Sequence, residues 1–324
     1  MTSPSPVILA ADIGGTNTRL ALLDGTVMRP DSVVSYPNAG AASLYDHIER
    51  YMAGQSAAPD CVALALAGPV AGTSGDLTNR NWHITTQQGA SAAGAPACVL
   101  LNDLQAQGCA LAHLTPDVLV PIHTCAQSGA PSQSPRTKLV IGLGTGMNIA
   151  CVHPLPGGAD FVPAAEAGHI TFSPHDPELR DFAKALGTYL DGHVAAEDVL
   201  SGRGLAHAYR FTSGAQIAPE QVIALAETGD AQALHATTLI ARALGEHAGD
   251  MALVHLAKGG VYLVGGLARA MAPFLTRRAF TAPYTAKGRF SDLVADIDVH
   301  VVYDDFAALT GAAQFACDSA ARAD

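Results

Sequence analysis

The sequence predicts an α/β protein built in two units, and three observations carry that expectation. Two short apolar runs, residues 7–11 and 138–141, each lead into a glycine-rich turn and out into a second β-forming run. The stretch from about Asp176 to His255 is rich in Ala and Leu, broken only by isolated glycines and turns, and reads as helical. At 324 residues the chain also exceeds a typical single domain. The doubled strand–turn–strand pattern predicts two related halves facing each other.

In chain order, residues 7–11 are expected to form a buried strand, with residues 19–23 as its hairpin partner. Ser43 is placed to cap a helix over residues 44–52, where Leu44, Ile48 and Met52 recur every four residues. Residues 61–67 and 98–101 are two further buried strands. Residues 126–136, rich in Ser, Pro, Gln and Gly, predict a surface loop opening the second unit. Residues 138–141 and 149–152 flank the second glycine turn. Asp176-Pro177 starts a helix with proline in its first turn, and Pro219 opens another over residues 220–227. Residues 261–264 form a buried strand running into Gly265-Gly266. A β-like run at 299–303 precedes a final Ala-rich helix from about Ala307.

With 49% hydrophobic and 15% charged residues, the chain can bury a large core. Its formal net charge of −11 argues against nucleic acid or anionic lipid as a partner, so a phosphate-bearing ligand must be held by local donors and metal. Cys61, Cys98, Cys109, Cys125, Cys151 and Cys317 are scattered without a C-x-x-C pair, the pattern of reduced core thiols. The first residues lack a basic leader pattern and no apolar run reaches membrane-span length, so the expectation is a cytoplasmic protein.

The first glycine turn reads Asp12-Ile13-Gly14-Gly15-Thr16-Asn17-Thr18-Arg19. Adjacent glycines let backbone N–H groups approach an oxyanion, Thr16 and Asn17 add neutral donors, and Asp12 can hold magnesium directly or through water. D-x-G-G alone describes an ordinary hairpin; the added Thr-Asn-x-Arg turns the balance towards phosphate. Gly142-Leu143-Gly144-Thr145-Gly146 is by itself a bulged hairpin, and paired with the first turn a second jaw around a polyphosphate. Gly265-Gly266 leaves room for a nucleobase or ribose against the backbone, and describes a helix N-terminus almost as well. The chain has no G-x-x-x-x-G-K-[ST], and neither glycine-rich turn has G-x-G-x-x-G spacing, which excludes P-loop and dinucleotide folds.

Between the two turns lies Leu101-Asn102-Asp103-Leu104, where Asp103 could accept a hydroxyl proton and Asn102 fix a sugar's orientation. An isolated Asn-Asp is more often an Asx turn or a helix cap. Glu166-Ala167-Gly168-His169 and Gly192-His193-Val194-Ala195-Ala196-Glu197 set charged groups among small residues, where a polyol can approach; either alone is more often a turn or cap.

Together these segments resemble the bacterial glucokinase family of the hexokinase–actin–Hsp70 superfamily along nearly the whole chain. The family's D-x-G-G-T-N-x-R is similar to Asp12 through Arg19. Its G-P-[IV] and T-N-x-x-W are similar to Gly68-Pro69-Val70 and Thr78-Asn79-Arg80-Asn81-Trp82. I-N-D-F resembles Leu101 through Leu104, G-x-G-T-G-L-G resembles Gly142 through Asn148, and E-G-G-H resembles Glu166 through His169. G-H-V-S-A-E-x-x-L-S-G-x-G-L is nearly intact from Gly192 to Leu205, and K-G-R-F stands at Lys287 to Phe290.

The resemblance implies a two-domain hexokinase/actin-like (ribonuclease H-like) α/β fold with a ligand cleft between domains: residues 1–113 plus 304–324, and residues 114–303. It implies a glucokinase that uses ATP and magnesium to phosphorylate the 6-hydroxyl of D-glucose, and commonly a homodimer. Asn102, Asp103, Glu166, His169 and Glu197 would ring the sugar, with Asp103 as base. Asp12, Gly14, Gly15, Thr16, Asn17, Gly142, Gly144, Thr145, Gly146, Gly265 and Gly266 would hold the nucleotide, with Asp12 on the magnesium side.

Three departures from the family pattern bear on the glycine turns and the Glu166 segment. Ala167 replaces a glycine between Glu166 and His169. Asn148 replaces the last glycine of the second turn, where it is expected to keep the turn because Asn tolerates positive φ. Gly265-Gly266-Leu267-Ala268-Arg269 stands where Gly-Gly-Ile-x-Pro-Arg is usual. Other readings are a kinase for a different hexose, a sugar-sensing repressor and an actin-like ATPase. Only six residues precede Val7, too few for a DNA-binding helix-turn-helix, and the Cys-rich zinc motif of ROK kinases is absent; an actin-like ATPase would not explain the Glu166, His169 and Glu197 set.

Overall fold

The computed structural model describes residues 5–77, 80–125, 136–156, 158, 160–190 and 192–323. Thr78-Asn79 and residues 126–135 of the expected loop lie outside the described residues. The chain divides into two compact units, one of Met1–Leu114, Gly157–Ala164 and Asp304–Asp324, the other of Thr115–Pro156 and Ala165–Tyr303. Among the described residues no helix is long and apolar enough to cross a membrane.

The first unit is organised by a hairpin, Val7–Ile13 antiparallel to Asn17–Asp24. Cys61–Leu66 pairs in parallel with Val7–Ile13, and Cys98–Asn102 in parallel with Cys61–Leu66. The alternation of side chains along these strands gives the sheet two buried faces. Leu9, Ala11 and Ile13 pack on one face with Leu44, Ile48 and Tyr51 of the helix Leu44–Met52. Ile8 and Ala10 pack on the other with Leu309, Ala312 and Ala313 of the helix Ala307–Ala323. Each fully buried Leu or Ile contributes on the order of 2 kcal/mol. Ser43 caps its helix as expected: its hydroxyl accepts from the Asp46 amide, and Asp46 accepts in return from the Ser43 amide.

The second unit repeats the plan. Lys138–Leu143 is antiparallel to Met147–Pro154 and parallel to Val261–Val264, which in turn is parallel to Val299–Val302. Leu119–His123 closes this edge antiparallel to Val299–Val302. The helix Ala231–Val254 buries Ala236, Leu239, Ile240, Ala243, Leu244 and Ala248, a helical stripe that sits in the same core as Leu139, Ile141 and Leu263. Asp176 caps the helix Pro177–Gly187 by accepting from the Glu178 and Leu179 amides, and Arg242 binds both Asp176 and Glu178.

Both hairpin strands run further into their turns than the apolar runs indicate. Asn17 and Gly142 therefore lie within strands, and the turns proper shrink to residues 14–16 and 144–146. Antiparallel pairing continues until geometry forces the reversal, whatever the hydrophobicity of the last residues.

Candidate active site

In the first turn the carbonyl oxygens are held from within the unit. Asn38, fully buried, donates through Nδ2 to Gly14 O at 2.7 Å, accepts from Thr18 Oγ1 at 2.8 Å, and donates its backbone amide to Thr16 O at 2.8 Å. Arg80 Nε donates to Gly15 O at 2.9 Å. No described peptide is cis, and in a trans peptide the C=O and the following N–H point in opposite directions. The amides of Gly15, Thr16 and Asn17 thus each point away from the group that holds the preceding carbonyl. Amides whose peptides are held in this way are fixed in direction, as donors to phosphate oxygens must be.

Asp12 stands opposite Arg19 in the strand register, with Arg19 Nη1 at 3.3 Å from Asp12 Oδ2. Burial holds the Asp12 carboxyl above the ordinary carboxylate range, although Arg19 works the other way. Asp12 is only partly buried, and a carboxylate held back by burial gains from a nearby cation, which fits contact with magnesium. Among the described residues no cluster of three or more His, Cys, Asp or Glu could hold a metal alone. Phosphate and water would supply most of such an ion's ligands.

Asn102 is the N-cap of the helix Asp103–Ala110. Its Oδ1 accepts from Leu104 N at 2.9 Å, its backbone amide donates to Gln105 Oε1 at 3.0 Å, and its Nδ2 donates to Gly68 O at 3.1 Å. An amide nitrogen carries two hydrogens, and Gly68 takes one. The helix cap and a ligand contact are therefore compatible in the same side chain. Asp103 occupies the first helical position, partly buried, at the positive end of the helix dipole.

In the second unit the other charged segments meet. Ala196 N donates to Ile170 O at 2.9 Å, and Thr171 bridges to Ala195, so the segment carrying Glu166 and His169 lies against the one carrying Glu197. Glu166 and His169 are exposed. Glu197 Oε2 accepts from Met147 N at 3.1 Å and its Oε1 from Arg203 Nη2 at 2.8 Å. Gly146 makes room for this carboxylate: a Cβ there would collide with Glu197 Oε2. Gly202 N donates to Gly144 O at 2.9 Å, a further tie between this segment and the second turn.

A groove of about 1340 Å³ opens beside that turn, lined by Gly144, Thr145, Gly202, Arg203, His207 and Gly266 among others. Burial, together with Arg203 and Arg210, lowers the pKa of His207, and the same groove is lined by Arg203 and Glu220. The two glycines after Val261–Val264 divide their work. Gly265, at φ +100°, lies so close to Leu143 O that a Cβ would overlap it, whereas Gly266 faces open space in the groove.

One expectation is corrected. Asn148 does not take a left-handed turn; the described non-glycine residues with positive φ are Asp31 and Leu256. It lies in the strand Met147–Pro154 opposite Gly142, because the hairpin pairing reaches it. No sequence motif singles out Asn38, Arg203 or His207, and Arg80 stands only as a variable position within one. For Arg80 and Arg203 the signal was present, as variable positions inside otherwise matching motifs. Asn38 carries no such mark, since only the tertiary structure shows that it is buried.

Paired hairpins, each extended by parallel strands and carrying a glycine turn at its tip, define the class as an α/β protein of the actin and hexokinase type. A family profile described as Glucokinase matches residues 9–319, and the chain belongs to that family. It is 33% identical to a glucokinase of Stenotrophomonas maltophilia (strain K279a), over 98% of this chain and 97% of the relative. Among solved structures, a glucokinase from an Antarctic psychrotroph is 28% identical with a TM-score of 0.83, covering 97% of this chain and 99% of the other. A glucokinase from Balamuthia mandrillaris, solved in complex with glucose, is 22% identical with a TM-score of 0.78 over 96% of this chain and 93% of its own, and shows the shared fold.

Proposed function

We propose that this chain transfers the γ-phosphoryl group of ATP to the 6-hydroxyl of D-glucose. The observation that carries the reading is the convergence of Glu166, His169 and Glu197 on adjoining segments of one unit, next to a glycine turn and a groove lined in part by Arg203. Two carboxylates and an imidazole can pair several hydroxyls of a sugar, each of which is both donor and acceptor. Relatives of this chain are named for the same activity.

In this reading each unit contributes its own contacts. The amides of Gly15, Thr16 and Asn17, the turn Gly144 to Gly146 and Arg203 take the triphosphate, while Gly266 leaves space for the nucleoside. Asp12 would hold magnesium, which when bound would neutralise phosphate charge. Asp103 accepts the proton of the 6-hydroxyl as its oxygen bonds to the γ-phosphorus, and ADP leaves with the electron pair of the broken P–O bond. Asn102 fixes Asp103 through the helix cap. Glu166, His169 and Glu197 hold the ring hydroxyls, and a missing or inverted hydroxyl leaves them unpaired.

The test is ADP release with ATP and magnesium across a hexose panel. Glucose is expected to give the highest kcat/KM, with mannose, galactose and N-acetylglucosamine lower, and excess EDTA is expected to abolish turnover. A panel in which mannose or an N-acetylated sugar leads would remove the glucose assignment and leave a hexose kinase. ADP release indifferent to sugar would remove the kinase assignment itself.

A further inference from the structure

We infer that Asn148 is a positioning residue for Glu166, and through it for sugar affinity; the inference rests on the proposed role of Glu166 as a sugar contact. Two of the departures from the family pattern, Asn148 and Ala167, touch each other. Asn148 Oδ1 accepts from Ala167 N at 2.9 Å, and its Nδ2 donates to Ala165 O at 2.6 Å. One side-chain amide thereby grips the backbone on both sides of Glu166, and Nδ2 lies 3.5 Å from Glu166 Oε2. The grip is itself fixed, since Asn148 sits in a paired strand and its Oδ1 also accepts from Ile149 N at 2.8 Å.

The glycine found at this position in the family pattern has no side chain with which to make these bonds. Glycine at position 167 would also leave that backbone with more conformations to lose. With Asn148 and Ala167 both present, the segment 165–167 is ordered before any ligand arrives. A contact residue ordered in advance costs less to immobilise on binding, so the benefit falls on sugar affinity rather than on the chemical step.

The experiment compares wild type, Asn148→Ala and Asn148→Gly by steady-state kinetics with glucose and ATP, and by amide hydrogen exchange at Ala167. Removing the grip is expected to speed exchange at the Ala167 amide. It should raise KM for glucose about tenfold, the scale of one or two lost hydrogen bonds, with kcat and KM for ATP within about twofold. The same substitution made in a Glu166→Ala background should add little to KM for glucose, because the residue through which it acts is gone. A general structural role predicts instead parallel losses in all constants, additive with Glu166→Ala, and that result overturns the inference. So does an unchanged glucose KM in either Asn148 variant. A wild-type chain without hexose turnover would strike the kinase reading first, and the inference with it.

Discussion

The two glycine turns sit on hairpins of the same design and differ in what holds them. The first is fixed by groups with no proposed ligand of their own: Asn38 and Arg80 take the carbonyls of residues 14–16. The second is fixed by a proposed sugar contact, because Glu197 accepts from Met147 N immediately after the turn and also holds Arg203 at the groove. The first turn can be disturbed without touching sugar contacts. The second cannot, since the carboxylate proposed to meet the sugar also holds the residue after the turn and restrains Arg203 at the groove.

Variants at both turns sharpen this difference, and the largest expected effect sets the scale. Asp103→Asn removes the proposed proton acceptor and should lower kcat about a hundredfold or more with modest change in either KM, as measured by steady-state kinetics. Near-normal turnover would remove Asp103 as base. Glu197→Ala should raise KM for glucose at least about tenfold and KM for ATP several-fold, since it also strands Met147 N and frees Arg203. An effect on glucose alone would break the coupling argued for the second turn.

Arg80→Met should do the reverse at the first turn. Loss of the bond to Gly15 O lets that peptide rotate, and KM for ATP should rise about fivefold with KM for glucose within about twofold. A matching rise for glucose would erase the contrast between the turns.

Arg242→Met, away from both turns, is the control with the smallest kinetic effect. Burial works against the charges of Asp176 and Glu178, but the hydrogen bonds of Arg242 prevail and hold both carboxyls below their ordinary range. Folded values below unfolded ones mean that this stabilisation is present in full above the carboxylate range and is lost as pH falls through it. Thermal or urea unfolding should show a loss of about 2 kcal/mol at neutral pH, shrinking in acid, with kinetic constants unchanged.

What the sequence by itself determined was local or periodic. The apolar run before each glycine turn, Ser43 and Asp176 as caps, Pro219 at a helix start, and Val261–Val264 each depend on residues close together in the chain, so their physical chemistry can be read in place. The motifs with proposed chemistry are local in the same way. Only the tertiary structure decided how those motifs are held. Asn38 reaches Gly14 across 24 positions, Arg80 reaches Gly15 across 65, and Glu197 reaches Met147 across 50. Asn148, read from the sequence as a turn residue, became a strand residue gripping the backbone around Glu166, because pairing with Gly142 fixed its backbone and freed its amide for a segment 17 to 19 residues away. Hydrogen-bond partners at such separations follow from which strands pair and which segments pack, and no local propensity encodes them.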